Sequence, residues 1–167
     1  MPRIRFLEIS SFRGIRELRW APRPGINALV GPGDAGKSTV LDAIDYCLGA
    51  RRALSFTDAD FYLMKTDAPI AIRVTLGDLP KDLLDLEAHL HFLRGFSVSN
   101  REVEDEPGET LENVLTFQLT VDASLEPSWS LYSERAAASD MTRGLAWGQR
   151  QRLAPVRLGT GASFHLA

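Results

Sequence analysis

A single cysteine, Cys47, stands in 167 residues, so no internal disulfide can staple the fold, a usage that suits a reducing compartment. Long apolar runs are missing too. No stretch approaches the roughly 20 residues that cross a bilayer, and the basic start leads into alternating residues where a signal peptide would be uninterruptedly apolar. Together these absences predict a soluble, cytoplasmic chain without a membrane partner. Histidine is scarce at three residues; His89 and His91, two positions apart, point to different sides of a helix and are poor co-ligands for a metal, so both are expected in solvent. The net charge of −3 neither requires nor excludes a nucleic-acid partner. Internal repeats and low-complexity tracts are absent.

What is present suffices for one globular domain, since 44% of residues are hydrophobic. Cys47 lies among them as a core residue. Charge is uneven only at the start, where Arg3, Arg5, Arg13, Arg16, Arg19 and Arg23 face just Glu8 and Glu17.

The run Gly31-Pro32-Gly33-Asp34-Ala35-Gly36-Lys37-Ser38-Thr39 fits the phosphate-binding pattern G-x-x-x-x-G-K-[ST]. Its flanks fit as well. Ile26, Ala28, Leu29 and Val30 read as a buried parallel strand, and Val40, Leu41, Ile44, Cys47 and Leu48 recur at helical spacing until Gly49 offers a C′ residue. Gly33 and Gly36 let the backbone curl around a phosphate and aim its N–H groups inward, with the helix dipole pointing at the same anion. Gly31 makes the exit from the strand. Lys37 supplies a mobile charge for the β- and γ-phosphates, Ser38 a hydroxyl for Mg²⁺, and Thr39 a contact to the α-phosphate. A mere capping turn needs no Gly-Lys-Ser-Thr in that order, so the chain is read as binding a nucleotide through Gly31, Gly33, Asp34, Ala35, Gly36, Lys37, Ser38 and Thr39.

Around this loop the pattern predicts a β-hairpin over 3–20 bending at Ser10 to Gly14, then loop with a short helical turn near 55–62. A strand with one wet face follows from Ile70 to Leu76. Pro80 opens a predicted helix through Leu83, Leu86, Leu90 and Leu93 to Gly95. Glu102 to Glu112 reads as a solvated acidic loop, Thr116–Val121 and Trp129–Leu131 as an antiparallel hairpin, and Arg152 to Leu158 as a further strand. Hydrolysis also needs an acid at the end of a buried strand. Asp78 and Asp122 are the candidates, but both end alternating strands, and no Leu-Ser-Gly-Gly-like signature occurs, so no catalytic residue is assigned. Because Leu153, Val156, Leu158 and Phe164 are still strand-like or apolar at the end, the chain is expected to be the N-terminal piece of a longer protein.

Ile4 to Gly14-Ile15, then Ile26 to Val30, and the loop running into Val40-Leu41-Asp42-Ala43-Ile44 together resemble the N-terminus of RecF/SMC-like ATP-binding cassette heads. Within them the OLD group (overcoming lysogenisation defect), ATP-dependent endonucleases, is most similar. The resemblance is clear over 3–48, extends through Asp60-Phe61-Tyr62 and the strand after Pro69, and fades beyond about residue 95. It implies an α/β P-loop NTPase, with 1–167 forming the N-terminal lobe of an ABC/SMC-like head: a mixed sheet with a β-rich antiparallel part. It further implies ATP and Mg²⁺, DNA engaged through the complete protein, and homodimerisation mostly through regions outside this chain. A second lobe with Walker B and signature motifs and a Toprim nuclease domain would follow elsewhere, so this chain alone should bind ATP and hydrolyse little. Arg13 looks like the Phe-Arg arginine that lies near nucleotide or DNA in such heads, and of Gln118, Gln149 and Gln151, Gln149 is preferred for the glutamine loop. The alternatives are a RecF/SMC-like repair ATPase without nuclease activity, a small P-loop kinase using the basic pair Arg51-Arg52, and a non-catalytic nucleotide-binding module.

Overall fold

The computed structural model describes residues 2–50, 53–80, 83 and 90–156. Among them one antiparallel sheet dominates. Strand β1 (Arg3–Phe12) turns at Arg13-Gly14 into β2 (Ile15–Trp20), and after helix α1 (Lys37–Leu48) come two 3-10 turns at Asp58–Asp60 and Tyr62–Met64. Strands β3 (Ile70–Gly77), β4 (Leu93–Ser97), β5 (Glu102–Glu104), β6 (Glu112–Val121) and β7 (Pro127–Tyr132) follow, then short helices α2 (Glu134–Ala138) and α3 (Trp147–Leu153). The sheet runs β2-β1-β3-β6-β4-β5, and β7 shares the far edge of β6 with β4: Glu112–Leu115 pair with β4 and Thr116–Val121 with β7.

Period-2 patterning explains the core. Leu7 and Ile9 of β1, Ile72 and Val74 of β3, and Leu115 and Leu119 of β6 are all fully or nearly fully buried on one face. Against it α1 lays Val40, Ala43 and Cys47, spaced three and four residues apart. Cys47 Sγ sits 3.6 Å from the Ile72 carbonyl and 3.4 Å from that of Phe117. Burial pushes its pKa up to about 12, so the thiol stays protonated and acts as core packing.

The expected hairpins over 3–20 and 116–131, the strand from Ile70 and the short turns after residue 55 are all present. Several expectations need correction. Residues 26–30 form no paired strand, and Ile26 and Val30 are 100% and 92% exposed. The helix expected from Pro80 to Gly95 falls partly outside the described residues, but its end is wrong: Leu90–Phe92 is a 3-10 turn and Leu93–Ser97 is β4, where pairing with β6 overrides a helix-like leucine spacing. The strand expected from Arg152 begins instead inside α3, which ends at Leu153; 157 and 158 lie outside the described residues. The acidic stretch is not a free loop, because Glu102–Glu104 makes β5, and Glu112 Oε2 accepts from Arg5 Nε at 2.7 Å. The β3 face expected to be wet is wet only in part, since Thr75 is buried and shares a 2.8 Å hydroxyl contact with Thr116.

Gly49 ends α1 with extended backbone (φ −61°, ψ 138°) rather than a left-handed C′ conformation, and a Cβ there would collide with the Asp45 carbonyl. At α2, Ser133 is fully buried; its Oγ accepts from Ala136 N at 3.0 Å and donates to His91 O at 2.6 Å. Ser133→Ala removes the cap and orphans that carbonyl, so denaturant unfolding should show a loss of about 1–2 kcal/mol.

Candidate nucleotide site

The curl at 31–36 is built by glycines with different duties. A Cβ on Gly31 would approach Ala35 Cβ at 2.9 Å, so a side chain there would prise the turn open; inside it, Ala35 N donates to Pro32 O at 3.2 Å. Gly36 sits at φ +81°, which an L side chain rarely adopts, and serves as N-cap of α1 without any side-chain cap. At Gly33 a Cβ would meet nothing within 4 Å, so packing does not demand that glycine. The first turn of α1 carries no acidic residue either. Its leading N–H groups are therefore left for an external acceptor, with the positive end of the helix behind them. Lys37 Nζ donates to Gly31 O at 2.9 Å and Pro32 O at 2.6 Å, holding an ammonium against the same curl. Gly31, Gly33, Asp34, Ala35 and Ser38 are exposed, Gly36, Lys37 and Thr39 half-buried. An ammonium, uncapped amides and an exposed hydroxyl one residue into the helix form a donor set that fits a polyphosphate with its cation.

Behind the loop, α1 is apolar on a second side. Leu41, 48% exposed, and Ile44 line a cleft of about 930 Å³ together with Leu29, Trp20, Ile4 and Lys37. A helix apolar on two sides belongs between two layers, and one of them is the sheet just described.

Arg13 adjoins α1, and three of its guanidinium N–H groups are engaged there and at Asp60. The turn places it at φ 50°, with its N–H donating to Asp60 O at 2.7 Å. Its Nε donates to Asp60 Oδ1 at 2.9 Å, Nη1 to Asp42 Oδ2 at 2.6 Å and Nη2 to the Tyr46 hydroxyl at 3.2 Å, while the guanidinium lies over the Phe12 and Tyr46 rings. Burial alone would lower its pKa, but the bonds to Asp60, Asp42 and Tyr46 outweigh it and hold the group well above the ordinary arginine value. Asp42, Tyr46 and Asp60 were given no role from the sequence, since Asp60 is 47 residues from Arg13 and Asp42 is 29.

The other expected residues have different employment. Asp78 pairs with Arg3 at 3.2 Å and Arg5 at 3.3 Å, and Asp122 accepts from Ser124 N and Oγ, bonds that lower its pKa. Gln118 accepts from Arg73 Nε, and Gln149 Oε1 caps α3 through Ala146 N. His91 is exposed as expected, whereas His89, Arg51 and Arg52 lie outside the described residues. Among the described residues no group of three His, Cys, Asp or Glu side chains could hold a metal by itself, and no helix is long and apolar enough to cross a membrane.

A glycine curl at the N-terminus of a helix packed on an antiparallel sheet gives the chain a P-loop NTPase fold. Residues 26–154 match the AAA_21 family, described as "AAA domain, putative AbiEii toxin, Type IV TA system", and the chain belongs to that family. Its sequence is similar to two proteins named DNA replication and repair protein RecF. That of Chlorobium luteolum is 33% identical over 58 residues, 35% of this chain and 16% of that protein. That of Moorella thermoacetica is 44% identical over 45 residues, 27% of this chain and 12% of that protein. The match thus spans less than a fifth of either relative. In fold, the chain is similar to the Smc head domain of Pyrococcus furiosus, solved with an extended coiled coil and the C-terminal domain of ScpA. The TM-score is 0.54 at 16% identity, over 92% of this chain and 32% of that one. The chain thus carries an AAA-family domain with local sequence similarity to RecF and a fold like that of the Smc head.

Proposed function

We propose that this chain is the nucleotide-binding first lobe of a two-lobed cytoplasmic ATPase head. It binds ATP·Mg²⁺ and, in the complete homodimeric protein, couples nucleotide-driven head engagement to DNA cleavage of the OLD type. The observation that carries nucleotide binding is the uncapped start of α1, with Gly36 at φ +81° and the Lys37 ammonium against the curl. Amides of residues 33–38 would hold the β-phosphate oxygens, Lys37 would bridge β- and γ-phosphates, and Thr39 would meet the α-phosphate. Bound through Ser38 Oγ, Mg²⁺ would supply charge neutralisation between phosphates.

The two-lobed organisation rests on the exposed run at 26–30 and the uncovered side of α1. Ile26, Val30 and Leu41 in water are costly at about 25 cal/mol per Å². A second layer with strands beside 26–30 would cover them. It would also bring the acidic residue that the described residues do not place at the loop, so the isolated chain should turn over slowly.

Calorimetry with a non-hydrolysable ATP analogue tests the site. Binding should appear in Mg²⁺, and Ser38→Ala should weaken it in Mg²⁺ by roughly tenfold while leaving affinity in EDTA unchanged. Equal affinity for variant and wild type in both buffers would remove Ser38 from the site. A second reading, a repair ATPase without a nuclease, is favoured by the local sequence similarity to RecF. Incubating the longer gene product with ATP and plasmid DNA separates the two: nicked or linear product supports the OLD reading, and turnover without cleavage the other.

A further inference from the structure

Three features leave the phosphate loop short of anchors. The run before it, 26–30, pairs with no strand among the described residues; the helix after it begins at a glycine without a side-chain cap; and the curl itself is exposed. What approaches both the loop and the helix is the β1–β2 hairpin. Gly36 faces Ile15, whose Cγ1 would lie 3.8 Å from a Cβ there, and two residues earlier Arg13 reaches Asp42 in the second turn of α1. The turn is itself tied down. Phe12 bridges to Phe61, both rings are buried, and Arg13 bonds Asp60 through its backbone and its side chain. Asp60 is pre-set by its reciprocal contacts with Thr57 at the first 3-10 turn.

The guanidinium's direction matters as well. At 1.5 Å per residue, Asp42 and Tyr46 lie roughly 7 and 13 Å down the axis from Lys37. Arg13 thus binds the second and third turns of the helix, with its three kinds of nitrogen directed at three acceptors from two other segments. A planar fork spends little conformational entropy in such an arrangement and fixes angles that a lysine would leave loose.

We propose that Asp42 and Asp60 hold Arg13 as a strut between the hairpin turn and α1, making all three positioning residues that set the phosphate loop for nucleotide. The idea rests on the nucleotide site proposed above, and it assigns Arg13 a role through the helix in place of contact with the ligand.

The test is a double-mutant cycle on the whole chain, titrating a fluorescent ATP analogue with Mg²⁺ into wild type, Asp42→Asn, Arg13→Gln, the double variant, Asp60→Asn and Lys37→Ala. Thermal unfolding is followed in parallel. Each strut variant should lose roughly tenfold in affinity, as removal of a partner behind a ligand-binding group commonly does. The double variant should lose no more than the singles, because one interaction is broken in each. Amide hydrogen exchange at 36–40 should quicken in Asp42→Asn, which a role confined to global stability would not produce. Should Arg13→Gln fail to fold, Asp42→Asn and Asp60→Asn still decide the matter. If Asp42→Asn binds as well as wild type or better while Arg13→Gln is impaired, Arg13 meets the nucleotide itself and the strut is wrong. Unchanged affinity in every strut variant also overturns it. Wild type that binds no nucleotide, or binds it equally well after Lys37→Ala, fails the nucleotide site first and the strut with it.

Discussion

Lys37→Ala should abolish measurable ATP binding while the chain still folds. Among the described residues the ammonium makes two hydrogen bonds, both to carbonyls of its own loop. Losing it should therefore change stability by less than about 1 kcal/mol. Binding is another matter. Removing one partner of a desolvated charged pair costs about 2–5 kcal/mol, which is roughly 30-fold to several thousand-fold in affinity. Uncapped amides alone would then hold the phosphates. Calorimetry with ATP and Mg²⁺, beside a thermal melt of the same sample, separates the two effects. Equal affinity with an unchanged melt would mean that Lys37 belongs to an ordinary capping turn.

The loop was legible in the sequence because its internal chemistry is local: the contacts within the curl, from Gly31 against Ala35 to Lys37 on Pro32, span six residues or fewer. Hairpins were legible for a related reason. Alternation in β1, β3 and β6 reports one buried face directly, and the antiparallel pairing of β1 with β2 and of β6 with β7 follows from short connections. Leu90 and Leu93 misled because a three-residue spacing also arises when a 3-10 turn runs straight into a strand, and only pairing with Glu112–Leu115 settles the outcome. Ile26 to Val30 misled differently. Apolar composition reports that a segment is meant to be covered, and nothing in it says which piece of polypeptide does the covering.

Long-range charge pairs were the least legible part. Arg13 reads as one arginine among six near the start, and its assignment to the nucleotide came from resemblance; its observed partners are Asp60, in a segment read only as loop, and Asp42 and Tyr46, which helical spacing merely places on one face. The acidic stretch hid the same kind of information. Glu112 serves Arg5, and Asp105 serves Arg94 and Arg135, pairings for which charge counting offers no address.

Asp105→Ala should damage the fold strongly while leaving the nucleotide site intact. Its carboxylate accepts from Glu134 N at 2.7 Å and Arg135 N at 3.0 Å, so it caps α2 from 29 residues away. It also lies 3.3 Å from Arg94 Nε and 3.4 Å from Arg135 Nε, close charge contacts that lack hydrogen-bond alignment. Arg94 is the vulnerable member, since its side chain is only 6% exposed and its one other polar partner among the described residues is Thr116 Oγ1 at 3.1 Å. Without Asp105 a guanidinium stays buried with no counter-charge among its described contacts. Breaking a buried pair costs about 3–5 kcal/mol; the low end applies because Asp105 is itself partly exposed. Near 3 kcal/mol, a domain of this size should melt roughly 6–12 °C lower. Asp105→Asn keeps one acceptor for the cap and should lose less, and Glu106→Ala, an exposed neighbour, should be silent. Because these contacts join β4, the segment after β5 and α2, away from α1, ATP affinity measured well below the melt should not move. A fall in affinity matching the fall in stability would show instead that the sheet edge and the phosphate loop yield as one unit.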